Sequence, residues 1–142
     1  MKYWKIGSRW NKNGDKSKSV LNIFYNNNIV FAKEENNARK ILNEVKKNDV
    51  IAIADGHEIV AIGIVKRPPI MLNKVSLKLD KENEKIFSYD EEKDDTKAVE
   101  VDILCTTHII YNHTGRFCEI QKNEIKEQIN AFLSQIKRAE RR

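Results

Sequence analysis

The sequence predicts an α+β protein of six or so mostly antiparallel strands and two or three helices, with a sheet covered on both faces as in a small β-barrel. Three observations carry this. Apolar residues make up 40% of the 142-residue chain and recur in blocks separated by charged stretches, as in a packed core. Two apolar runs, Val50 to Ala54 and Ile59 to Val65, flank the turn Asp55-Gly56-His57-Glu58 and read as a central hairpin. Both runs are apolar at consecutive positions, so both faces of the sheet are expected to be covered.

The elements follow in order. Tyr3 to Ser8 alternates, with Trp4, Ile6 and Ser8 on one face and Tyr3, Lys5 and Gly7 on the other, and reads as the first strand. Residues 9–18 are polar, with a turn signal at Gly14-Asp15, and Ser17 or Ser19 is placed to cap a short helix through Val20, Leu21, Ile23 and Phe24. Asn26-Asn27-Asn28 ends it. Ile29 to Ala32 is a brief strand, and over Glu34 to Lys47 the spacing of Ala38, Ile41, Leu42 and Val45 predicts an amphipathic helix. After the hairpin, Pro68-Pro69 stops the pairing, and Val75 to Leu79 is expected as another strand.

In the second half, the segment from about 80 to 97 reads as a solvated acidic loop. Val99 to Tyr111 alternates so that Val99, Val101, Ile103, Cys105, Ile109 and Tyr111 share a face. Asn112 to Gly115 then turns the chain, and Arg116 to Ile120 returns as the partner of a hairpin. A last helix, 123–140, is capped by Asn123 and striped by Ile125, Ile129, Phe132, Leu133 and Ile136. The length suits a single domain spanning 1–142.

Charge is unevenly spread. Eight carboxylates and four lysines between Asp80 and Lys97 leave −4 there and +9 over the rest of a chain whose net charge is +5. Six cations between Lys2 and Lys18 face only Asp15, and Lys137, Arg138, Arg141 and Arg142 surround Glu140. Such a surface attracts polyanions through phosphate contacts, although a charge run is also simply a solvated face. No run of about 18 apolar residues occurs, and the N-terminus lacks a signal-peptide core, so the reading is cytoplasmic with no membrane contact. Two cysteines are too few for a disulfide framework.

Few motifs point to chemistry. Cys105, His108, His113 and Cys118 have knuckle-like spacing and suitable zinc ligands. Hairpin geometry argues for structural roles instead, since Cys105 and His108 point to opposite faces and Cys118 pairs near Ile109. There is no Walker A loop, G-x-G-x-x-G or nucleophile elbow, and the expectation is a protein without a cofactor that is not an enzyme. Trp4, Trp10 and Phe31 lie near cations, the combination that holds an unstacked base. Trp4 reads as core, and Trp10, in a polar loop, is the foremost contact candidate.

The segment Tyr3-Trp4-Lys5-Ile6-Gly7-Ser8, then Phe31, Asn37-Ala38-Arg39, Ile41-Leu42, Lys46-Lys47-Asn48-Asp49 and Val50 to Ala54, resembles the EVE domain family. Ile59 to Val65 is similar to that family's next strand, so that the likeness covers Lys2 to about Lys66. EVE domains stand with YTH domains in the PUA-like superfamily, which includes modified-base readers of restriction systems. The resemblance implies a small PUA-like β-barrel of five or six mostly antiparallel strands, with a pocket for a flipped, modified base formed by Ser8, Asn13, Phe31 and Ala32. Trp10 is added as a second wall, with Arg9, Lys12, Lys33 and Arg39 meeting phosphates. The sequence departs from the family at Phe31, where tryptophan is common, at Asn48, where glycine is usual, and at Ser8-Arg9-Trp10, which lacks Glu-Pro. The implied role is a DNA reader in a modification-dependent restriction or defence system, with a nuclease or AAA+ motor as partner. The alternatives are an RNA-binding module and a protein-interaction domain whose acidic loop meets a basic partner.

Overall fold

The computed structural model describes residues 1–9, 19–32, 35–78, 96–113 and 117–140. Among them, seven strands and three α-helices make an α+β fold whose mixed sheet curls into a half-barrel. The strands are β1 (Tyr3–Gly7), β2 (Ile29–Ala32), β3 (Val50–Asp55), β4 (Glu58–Val65), β5 (Ile70–Met71), β6 (Lys97–Ile110) and β7 (Phe117–Glu119). The helices are α1 (Leu21–Asn27), α2 (Glu35–Glu44) and α3 (Asn123–Glu140). Strand order is β2-β6-β4-β3-β1-β7, with β5 also on β6. Pairing is antiparallel except between β1 and β3, which run parallel in the register Tyr3↔Val50 to Gly7↔Ala54.

The sheet is covered on both faces, as the consecutive apolar residues of β3 and β4 require. On one face Trp4, Ile6, Ile51, Ile53, Ala61 and Val65 pack with Ile23 and Phe24 of α1 and Ile41 of α2. On the other, Val50, Ala52, Ile59 and Ile62 meet Ile125 and Ile129 of α3, with Phe132 and Leu133 partly buried beside them. Gly56 makes the β3–β4 turn at φ 66°, a conformation that glycine adopts without steric penalty. Asn28 ends α1 in the left-handed region, where asparagine is tolerated. At the other end of α1 the Ser19 hydroxyl accepts the Leu21 N–H at 3.2 Å.

Four expectations are corrected. Val75 to Lys78 forms no strand. The chain instead pairs β5 with β6 and makes a 3-10 turn at Leu72–Lys74, through which Leu72 enters the core. Leu42 is exposed, because the buried stripe of α2 runs through Ile41 and on to Val45 beyond the helix end. The alternation along β6 does not keep one face. Ile62 pairs with Cys105 and Gly63 with Ile103, so Leu104 is an extra residue, a bulge that reverses the faces on either side of it. Val99, Val101 and Ile103 therefore pack towards α1 and α2, whereas Cys105, Ile109 and Tyr111 pack towards α3.

The fourth correction concerns β7. It is not the hairpin partner of β6 but pairs antiparallel with β1, Trp4↔Glu119, Lys5↔Cys118 and Ile6↔Phe117. One edge of β6 is taken by β4 over Val101 to Ile110, and β1 offers β7 an edge opposite β3. The Gly14-Asp15 turn and the acidic segment, apart from Thr96 and Lys97, lie outside the described residues. Among the described residues no helix is long and apolar enough to cross a membrane.

Candidate nucleic-acid interface

The residues expected to form a base pocket fall into two groups. Trp10, Lys12, Asn13 and Lys33 lie outside the described residues. Ser8, Phe31 and Ala32 are described, and each is fully buried. Ser8 is occupied by backbone: its amide and hydroxyl both donate to the Ala54 carbonyl, at 2.8 and 2.9 Å, and its own carbonyl accepts the Val20 N–H at 2.7 Å. It ties the end of β1 to β3 and to the start of α1. Phe31 stands edge-on to Phe24, centroids 5.1 Å apart, in the core under α1. The concave site expected from Ser8 and Phe31 is thus not open among the described residues. The reason is that β2 is buried along its whole length, so that Phe31 serves as core.

Arg9 is half-exposed, but its guanidinium is paired with Asp55 at 2.5 Å, which ties it to the β3–β4 turn. Arg39 is exposed on α2, and its neighbour Lys40 reaches over the Trp4 ring at 5.9 Å. Lys2 approaches the same ring at 5.6 Å. Lys2 and Lys46 also line one cleft of about 240 Å³ with Met1, Asn43, Glu44 and Asp49. The start of β1, α2 and the turn after it therefore bring Lys2, Lys40 and Lys46 to one region, and Arg39 and Lys47 are the exposed sequence neighbours of Lys40 and Lys46. Glu119 is 3.8 Å from Lys2 across the β1–β7 pair.

A buried carboxylate holds that region together. Asp49 accepts the backbone N–H of Lys2, the indole N–H of Trp4 and the backbone N–H of Lys46, each at 3.0 Å. Burial of an acidic side chain is tolerated when its oxygens are this well satisfied. The Trp4 ring is stacked on Phe117 of β7 at 5.2 Å with an interplanar angle of 8°. Sequence reasoning took Trp4 as core, which it is, but missed that Asp49 fixes the backbone on which Lys2 and Lys46 stand. The signal was the alternative use of Lys46-Lys47-Asn48-Asp49 as a tight turn: Asn48 adopts φ 75° and its N–H donates to the Val65 carbonyl at 2.9 Å. A larger cleft of about 500 Å³ lies under α3, with Tyr3, Val50, Ile64, Leu104 and Leu133 as its apolar lining and Asn130, Ser134, Lys137 and Glu140 as its polar lining.

The four zinc-type residues do not converge, and no group of three His, Cys, Asp or Glu side chains is gathered among the described residues. His108 is exposed at the far end of β6 and pairs with Glu58 at 2.9 Å. Cys105 packs on the α3 side of the sheet. Only Cys118 and His113 meet, Sγ to Nδ1 at 3.6 Å. Compared with protein-family models and with curated proteins, the chain matches none.

Proposed function

We propose that this chain is a nucleic-acid-binding module whose phosphate-contacting surface is formed by Lys2, Arg39, Lys40, Lys46 and Lys47. The observation that carries the reading is the gathering of Lys2, Lys40 and Lys46 around the Trp4–Asp49 anchor, on a chain whose charge outside the acidic segment is +9. Cations standing on an anchored backbone can position phosphates, and release of condensed counterions drives the association.

The finer reading is a PUA-like, EVE-type reader of a flipped, modified base in DNA, working beside a nuclease or AAA+ motor. It draws on the sequence likeness alone. Burial of Ser8 and Phe31 weighs against the pocket assembled from them, so phosphate positioning is the part that the geometry favours.

Fluorescence anisotropy with labelled duplex DNA, single-stranded DNA and RNA, each titrated across a salt series, tests the reading. The expected result is binding at low salt whose log affinity falls linearly with log salt, by about 0.9 per phosphate contact on duplex DNA or about 0.7 on single strands. The triple substitution Lys2→Glu, Lys40→Glu and Lys46→Glu should flatten that slope by about two to three. Absence of binding to all three at low salt, or an unchanged slope in the triple variant, overturns it. Methylated and plain duplexes in the same titration separate base recognition from phosphate contact.

A further inference from the structure

Cys118 sits in the middle of β7, half-buried, directly opposite Lys5 in the antiparallel register. Residues so paired project to the same side of the sheet with their Cβ atoms about 5 Å apart, which brings the Lys5 ammonium beside the thiol. Lys5 is only 3% exposed; its Nζ donates to the His113 carbonyl at 2.7 Å and lies 6.0 Å from the centre of the Tyr111 ring. The His113 backbone is held at both ends, since its N–H donates to the Tyr111 carbonyl at 2.9 Å while its carbonyl accepts Lys5. Its imidazole Nδ1 is 3.6 Å from the Cys118 sulfur, within hydrogen-bond reach of a thiol. Three separate segments thus converge on one sulfur with a base and a cation.

The other cysteine provides the contrast. Cys105 is also half-buried, but it is paired with Ile62 and packs among apolar residues. Burial pushes both thiols up from their ordinary range. At Cys105 nothing opposes it, whereas at Cys118 the positive charges of Lys5 and Lys40 pull the other way without overcoming burial, so that its activation falls first to His113 as the neighbouring base. An electropositive, partly exposed thiol beside a base is the setting in which cysteines become nucleophilic.

We propose that Cys118 is a reactive thiol, activated by His113 and Lys5, whose co-reactant is a hydroperoxide. His113 Nδ1 takes the thiol proton, and the sulfur attacks one peroxide oxygen. An S–O bond forms as the O–O bond breaks. Sulfur is oxidised by two electrons to the sulfenic acid, and the departing oxygen, reduced to hydroxide, takes the proton from His113 and leaves as water. Lys5 stabilises the thiolate and the charge developing on the departing oxygen. A small uncharged oxidant suits a half-buried sulfur, because it needs no docking surface.

The test treats the full chain with hydrogen peroxide in the presence of a sulfenic-acid trap and measures trapped Cys118 and Cys105 by peptide mass spectrometry. Cys118 is expected to be trapped faster than Cys105 by about tenfold or more, and His113→Gln and Lys5→Met should each slow it by a similar factor. Circular dichroism verifies that both variants are folded, and iodoacetamide alkylation of the same proteins reads nucleophilicity without peroxide. Trapping at equal rates, or faster at Cys105, overturns the proposal. So does a fast Cys118 that neither substitution slows, which would assign the rate to exposure alone.

Discussion

Replacing Asp49 by alanine should destabilise the fold by about 3 to 5 kcal/mol, given three hydrogen bonds to a charged acceptor and their incomplete additivity. Hydrogen bonds to a charged group contribute about 1.5 to 3 kcal/mol each, and Asp49 accepts three at 3.0 Å. The Lys2 and Lys46 amides lie close enough to the surface to find water when the carboxylate is removed. The Trp4 indole does not, because Trp4 is fully buried, and its stranded N–H alone accounts for about 1 to 3 kcal/mol of the loss. Asp49→Asn retains an oxygen where Oδ2 accepts both Trp4 and Lys46 but turns an NH2 group towards the Lys2 N–H, so it should lie between parent and alanine variant. Urea denaturation followed by far-UV circular dichroism measures the series. In a Trp4→Phe background the Asp49→Ala loss should shrink by about 1 to 2 kcal/mol, since the stranded donor is gone. An Asp49→Ala variant within about 1 kcal/mol of the parent would refute the assignment of Asp49 as the anchor of this region.

Two further outcomes follow from the packing. Gly63→Ala should destabilise by about 1 to 3 kcal/mol in the same urea assay, because the added Cβ would stand 3.0 Å from the Asp102 carbonyl oxygen and 3.3 Å from the Val101 Cβ on a neighbouring strand that cannot withdraw; an alanine variant as stable as the parent contradicts that closeness. Lys5→Met should be more stable than the parent at neutral pH, because burial disfavours the ammonium and pulls its pKa below the usual lysine range. The folded state then releases this proton before the unfolded chain does, so stability of the lysine form rises with pH from its folded pKa to the ordinary lysine range, and the advantage of methionine fades across that window. Denaturation at several pH values, in a Cys118→Ser background to remove the thiol that titrates beside it, reads this directly. Parallel stability curves for lysine and methionine would refute it.

Much of the fold was legible because it is written in short-range pattern. Ile29–Ala32 is bounded by the left-handed Asn28, and the apolar runs of β3 and β4 flank a turn whose Gly56 adopts positive φ. The C-terminal helix follows from its stripe of isoleucines, and two of them, Ile125 and Ile129, are the residues it buries. What escaped is long-range or depends on a single inserted residue. Nothing in the alternation of Val99 to Tyr111 marks Leu104 as a bulge, because a bulge is defined by the count of residues on the opposing strand. The pairing of β7 is likewise long-range: Arg116 to Ile120 follows β6 closely enough to suggest a hairpin, yet β4 holds one edge of β6 and β7 lies on the edge that β1 offers.

The same dependence on long-range pairing separates the site expected from the sequence from the one the fold assembles. A resemblance reads residues along the chain, and it singled out Ser8 and Phe31, which the fold spends on backbone bonding and on the core. The departure at Asn48 is conformationally conservative, since its φ of 75° is the kind that glycine accepts freely and asparagine tolerates. Pairing β7 with β1 also places Cys118 opposite Lys5 and stacks Phe117 on Trp4, while Lys2 and Lys40 flank that tryptophan. Had β7 paired with β6, Cys118 would face Ile109 and have no cation across from it. The chemistry of this edge is therefore a consequence of topology, and only the strand order makes a lysine in β1 and a cysteine more than a hundred residues later into neighbours.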